Sequence, residues 1–176
     1  WKNGNYSFTD LENTIGCIYI VRDPRNIITS IKNYYDFKSY KEALEFLRDD
    51  KNIIGTLHKV RQGNDLPTII SSWKNHYNSW KKLKTNYLLI KYEDMLVDPK
   101  KEFLKIINFI KKISNIVLDD FRIDNAISLC DFKNLQGIEN KDGFIEASKD
   151  KLGNSIKFFK LRSENKWQNL LNKQII

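Results

Sequence analysis

The stretch Ile18-Tyr19-Ile20-Val21-Arg22-Asp23-Pro24-Arg25-Asn26-Ile27-Ile28-Thr29-Ser30 decides the fold. An apolar run stops at an arginine and turns into a helix through Asp-Pro. Residues 15–21 together are near-continuously apolar, the pattern of a parallel strand covered on both faces. Asp23 suits an N-cap, and Pro24 suits the first helical position, where a missing N–H is no loss. Arg22 therefore stands at the carboxyl end of a strand, where open α/β sheets bind their ligands. Ser30, eight residues on, lies two turns into the helix. A guanidinium matches phosphate oxygens bidentately, so this pair points to a phosphate site. The plain alternative is a core strand with a solvated arginine at its end, and the segments downstream decide between the two.

Working outward, periodicity predicts a helix over 24–36 with Ile27, Ile28, Ile31 and Tyr34 on one face, and a second over 39–48. Residues 49–66 read as loop. A helix over 67–83 places Ile69, Trp73, His76 or Tyr77, Trp80 and Leu83 together. Tyr87–Ile90 is the second clear strand, and Asp98-Pro99 opens a helix with Phe103, Ile106, Ile107 and Ile110 inward. A further helix is predicted over 119–138, then a polar loop over 143–154 and a last segment from Phe158-Phe159 to Trp167. Strand, helices, strand, helix is an α/β pattern with a parallel sheet flanked by helices. With no internal repeat and no linker, residues 1–176 read as a single domain.

Composition narrows the class. Hydrophobic residues at 41% and charged residues at 30% describe a soluble globular chain, not a disordered one. No apolar run approaches the ~20 residues needed to cross a bilayer, so no membrane is expected as a partner. A net charge of +8 favours anionic partners, although the lysines are scattered rather than gathered on one face. Cys17 and Cys130 belong to no CxxC pair and read as small core residues in a reduced, cytoplasmic setting. His58 and His76 are not at metal-ligand spacing, so no metal is expected. The chain begins Trp1-Lys2-Asn3 without an initiator methionine and reads as N-terminally truncated.

Four segments then stand in order: the strand-turn-helix motif of Arg22 and Ser30, Ser72-Trp73-Lys74-Asn75-His76 with Trp80, Tyr92-Glu93-Asp94-Met95 with Asp98-Pro99, and a late region of two parts. That region comprises Cys130-Asp131-Phe132-Lys133-Asn134-Leu135 with Gly143-Phe144, and Phe158-Phe159-Lys160-Leu161-Arg162 with Trp167. Together they resemble the cytosolic-type sulfotransferases that use 3′-phosphoadenosine 5′-phosphosulfate (PAPS), over most of residues 15–170. The resemblance implies a P-loop NTPase-like sulfotransferase fold with its N-terminal part missing. It implies PAPS as sulfuryl donor, with no metal, and a small-molecule or carbohydrate acceptor offering a hydroxyl or amine.

By the same resemblance, Arg22, Ser30, Lys160 and Arg162 hold the 3′-phosphate, while Tyr92 and Phe132 hold the nucleoside. The match departs from the family at several positions. Lys160 stands where arginine is usual, Leu161 replaces a lysine, Arg162 replaces a glycine, and Cys130 replaces a threonine. His76 reads as a satisfied internal hydrogen-bonder, and Glu93 and Asp94 as structural. The family's P-loop-like segment has no counterpart here, and its catalytic histidine would fall at or before Trp1, so no catalytic residue is expected in this chain. The alternative is a non-catalytic basic module binding nucleotides or nucleic acid, although no nucleic-acid motif occurs. Oligomeric state and acceptor identity are not written in these residues.

Overall fold

The computed structural model describes residues 2–3, 6–7, 11–54, 68–114, 119–150, 152–160 and 165–172. Its organising unit is the parallel pair of β3 (Cys17–Val21) and β6 (Tyr87–Lys91), in a register that sets Cys17 opposite Tyr87 and Val21 opposite Lys91. Both strands thus end at the same edge, and Arg22 and Tyr92 leave it side by side. Among the described residues two antiparallel pairs complete the strands, β1 (Lys2–Asn3) with β2 (Tyr6–Ser7) and β4 (Ile53–Ile54) with β5 (Thr68–Ile69).

Between β3 and β6 run α1 (Pro24–Tyr34), α2 (Tyr40–Arg48) and α3 (Trp73–Lys81). Asp23 caps α1 as its sequence predicts, its carboxylate accepting from the Arg25 backbone N–H at 2.9 Å. Ser39 and Ser72 cap α2 and α3 in the same way. Ile28 and Ala43 are buried where α1 crosses α2, joined by Leu171 from the chain's far end. After β6 come α4 (Tyr92–Val97), α5 (Pro99–Ile113), α6 (Asp120–Leu129) and α7 (Phe132–Asp142), then the short α8 (Trp167–Leu170). Helix α5 lies close to the start of β3: a Cβ on Gly16 would stand 2.9 Å from Ile113 Cδ1. A side chain there would push the ends of Ile113 and Phe109 aside.

Several expectations are corrected. β3 is not covered on both faces, since Ile18 and Ile20 are 37% and 50% exposed. Among the described residues β3 pairs only with β6, so its outer side lies open. The expected loop over 49–66 contains β4, and the helix expected from residue 67 starts at Trp73, because Ser72 supplies the cap and Ile69 has gone into β5. The single helix expected over 119–138 breaks at Cys130, because Asp131 turns its carboxylate onto the Lys133 N–H and caps a new helix. Cys130 is consequently exposed rather than a core residue, while Cys17 is half-buried, and both are free thiols.

Candidate functional site

The carboxyl ends of β3 and β6 open into a cavity of about 800 Å³. Five of the six residues singled out from the sequence line it: Arg22, Ser30, Tyr92, Phe132 and Lys160. The sixth, Arg162, lies outside the described residues.

Arg22 is the centre of the polar end. Its Nη1 donates to Ser30 Oγ at 3.1 Å, the contact that an eight-residue spacing across a strand-to-helix turn allows. Its guanidinium carbon sits 4.5 Å from the centre of the Tyr92 ring, a cation–π contact made possible by the parallel register. Burial pulls its pKa down, offset by Tyr92, Glu93 and Asp23, and a guanidinium stays charged regardless. Its Nε is buried with no partner among the described residues. An orphaned charged donor costs more than a satisfied one, so the position calls for an acceptor from outside the chain.

Neighbouring groups hold this arrangement. Glu93 accepts from the Asp23 backbone N–H at 2.9 Å and ties the two strand ends together. Its hydrogen bond to a backbone amide fits the structural reading. Asn165, which the sequence reading missed, reaches Asn26, Thr29 and Ser30 from the far end of the chain. Its one signal was its place two residues before Trp167. The Trp167 N–H itself bonds Asn26 Oδ1 at 3.0 Å, and the Arg25 guanidinium lies 3.9 Å from the Trp167 ring.

The opposite end of the cavity is aromatic. Phe132 meets Phe159 edge-on at 6.2 Å, and Phe144 packs against Phe158 and Phe159 at 4.8 and 5.0 Å. Two side chains from α7, neither foreseen from sequence, hold the strap that carries Phe158, Phe159 and Lys160. Buried Glu139 accepts from the backbone N–H groups of Phe158 and Phe159 at 2.6 and 3.0 Å. Gln136 donates to the Phe159 carbonyl at 2.8 Å.

His76 lies elsewhere, on the face of the sheet packed by α3. Trp80 donates its indole N–H to His76 Nε2 at 3.1 Å, which leaves the ring proton on Nδ1 facing Tyr19 Oη at 3.2 Å. Burial lowers the His76 pKa and pushes the Tyr19 hydroxyl up to about 12. The histidine is an internal hydrogen-bonder with both ring nitrogens engaged. No cluster of metal-ligating residues occurs among the described residues, and no helix there is long and apolar enough to cross a membrane.

A cavity at the ends of parallel strands, with an arginine and a serine at one end and edge-packed phenylalanines at the other, is the ligand-binding arrangement of an α/β protein. Residues 8–176 match the sulfotransferase domain family model, and the chain belongs to that family. It is 26% identical over 155 residues to mouse sulfotransferase 2A2, covering 86% of this chain and 49% of that protein. It is 31% identical over 97 residues to sulfotransferase 2A1 of Macaca fascicularis, covering 54% of this chain and 31% of that one. The crystal structure of mouse sulfotransferase SULT7A1 complexed with PAP superposes with a TM-score of 0.60 at 22% identity, over 90% of this chain and 52% of that one, which establishes the fold. The chain spans about half the length of the curated mouse relative.

Proposed function

We propose that this chain carries the 3′-phosphate and adenosine site of a sulfotransferase that moves a sulfuryl group from PAPS to a hydroxyl or amine on a small-molecule or carbohydrate acceptor. The observation that carries the reading is the half-buried Arg22, with its buried Nε unpartnered among the described residues and its Nη1 on Ser30, at the mouth of an aromatic-lined cavity. These residues fit the donor: a phosphate oxygen supplies the acceptor that Nε lacks, and a planar base suits the rings of Tyr92 and Phe132. PAPS, when bound, supplies the sulfuryl group. Arg22 and Ser30 bind the 3′-phosphate and Lys160 adds charge from the strap, with Arg162 assigned the same task. Tyr92 and Phe132 orient the nucleoside, so this chain contributes mainly positioning. We assign it to a reduced, cytoplasmic setting as one domain, in keeping with its free thiols. Family membership does not favour the alternative of a basic nucleic-acid module.

Calorimetric titration with adenosine 3′,5′-bisphosphate and 5′-AMP tests the reading. Charge-assisted hydrogen bonds of this kind set an expected preference for the bisphosphate of about 10- to 150-fold. Arg22→Ala is expected to erase most of it while leaving 5′-AMP binding nearly unchanged. Lys81→Ala, on an exposed position of α3, is expected to change neither. Equal weakening of both nucleotides by Arg22→Ala would reduce Arg22 to a structural or general electrostatic role.

A further inference from the structure

We propose that Asn165 is a positioning residue that makes the Ser30 hydroxyl an obligate hydrogen-bond donor toward an anion in the cavity, an inference that rests on the phosphate reading above. Asn165 is only 5% exposed. Its amide has one orientation. Nδ2 lies 3.1 Å from the Asn26 carbonyl oxygen, which can only accept, so the nitrogen must face it. The second hydrogen of that nitrogen goes to Ser30 Oγ at 2.8 Å, while Oδ1 accepts from the Thr29 hydroxyl. A buried amide satisfied on both sides is a rigid fixture.

The consequence falls on Ser30. A hydroxyl oxygen has two lone pairs and one proton. Arg22 Nη1 takes one lone pair at 3.1 Å and Asn165 Nδ2 takes the other at 2.8 Å. Both acceptor positions are filled, and no acceptor for the serine proton occurs among the described residues. The hydroxyl can therefore only donate, and it borders the same cavity as Arg22, whose Nε is a second donor without a partner. Two donors with no acceptor between them match an acceptor-only group such as a phosphate monoester. A sugar hydroxyl in the same place would bring a proton of its own and no charge. Asn165 thereby converts Ser30 from a group of either sense into one that discriminates a phosphorylated from an unphosphorylated 3′ position.

A double-mutant cycle on the full chain tests this, using Ser30→Ala, Asn165→Ala and their combination. The readout is the ratio of the dissociation constants of 5′-AMP and adenosine 3′,5′-bisphosphate, taken by calorimetry on the fraction that binds. Ser30→Ala is expected to lower this ratio about tenfold or more, and Asn165→Ala about 3- to 10-fold, as a hydroxyl freed to rotate donates less often. In the Ser30→Ala background, Asn165→Ala is expected to add nothing. Asn165→Asp, which offers Ser30 an acceptor and draws its proton away, is expected to match Ser30→Ala. A wild-type ratio in Asn165→Ala, or an additive loss in the double variant, overturns the proposal. If Asn165→Ala does not fold, a full ratio retained by Ser30→Ala or by Asn165→Asp overturns it equally. Arg22→Ala separates the two levels: if it abolishes the preference while the Asn165 variants keep it, the positioning role falls and the phosphate site stands. If Arg22→Ala keeps the preference, the phosphate reading itself falls.

Discussion

At one end of the cavity Arg22 follows a paired strand, Ser30 lies on a capped helix, and Asn165 is fastened to that helix by its own side-chain hydrogen bonds. At the other end Phe132, Phe144, Phe158 and Phe159 touch mainly through ring edges, with Phe158 44% exposed and Lys160 exposed beside it. The difference teaches where this protein places its rigidity. Charge recognition requires donors fixed to within a few tenths of an ångström, because hydrogen bonds weaken steeply with angle and distance. Stacking tolerates a sliding ring. Arg22 and Ser30 are accordingly placed by secondary structure, whereas Phe158 and Phe159 of the aromatic end ride on a strap that buried Glu139 fastens to α7.

Glu139→Ala is expected to break the comparison most strongly. It leaves two backbone N–H groups without their acceptor, a loss of about 1–3 kcal/mol of stability. Hydrogen exchange is expected to show lost protection at Phe158 and Phe159 with protection in α1 unchanged. Equal loss in α1 would mean that the two ends are one cooperative unit.

Phe132→Ala is expected to act more gently and to sharpen the contrast. An aromatic contact of about 0.5–1.5 kcal/mol corresponds to a weakening of about 2- to 12-fold, and both 5′-AMP and the 3′,5′-bisphosphate are expected to lose it equally. A changed ratio between them in titration would show that the aromatic end also reads the phosphate.

The smallest effect is assigned to Asp23→Asn. Hydrogen bonds from the Arg25 side chain, chiefly, hold the Asp23 carboxyl below its ordinary 3.8. A carboxyl whose folded pKa is depressed stabilises the fold above the unfolded value, and that contribution is lost as pH falls through the folded one. Asparagine still caps α1, so only the charge contribution disappears. Thermal melts of the two proteins are expected to differ slightly at pH 6 and to converge as the pH falls below 3.8. A gap that persists in acid would place the contribution of Asp23 in its cap geometry instead of its charge.

Much of this arrangement is legible in the chain itself. The Arg22-Asp23-Pro24 turn and the Asp98-Pro99 helix start are local events, in which a cap and a fixed proline φ suffice, and the strand at Tyr87 shows as an apolar run. His76 as an internal hydrogen-bonder followed from its helical spacing to Trp80. Other features were not legible, because they depend on partners distant in sequence. The β4–β5 pair joins segments across residues 55–67. The break at Cys130 pits one capping carboxylate against a helical pattern that by itself runs on.

What the sequence by itself determined is therefore the set of donors and rings: an arginine at a strand end, a serine two turns later, and aromatics in the segments that follow. Only the tertiary structure decided how they act together. The parallel register sets Tyr92 under the Arg22 guanidinium, and the returning chain brings Asn165 to Ser30 across 135 residues. Periodicity encodes which face a residue takes. Which polar group satisfies another at that separation is settled by folding, which penalises every buried donor left without an acceptor.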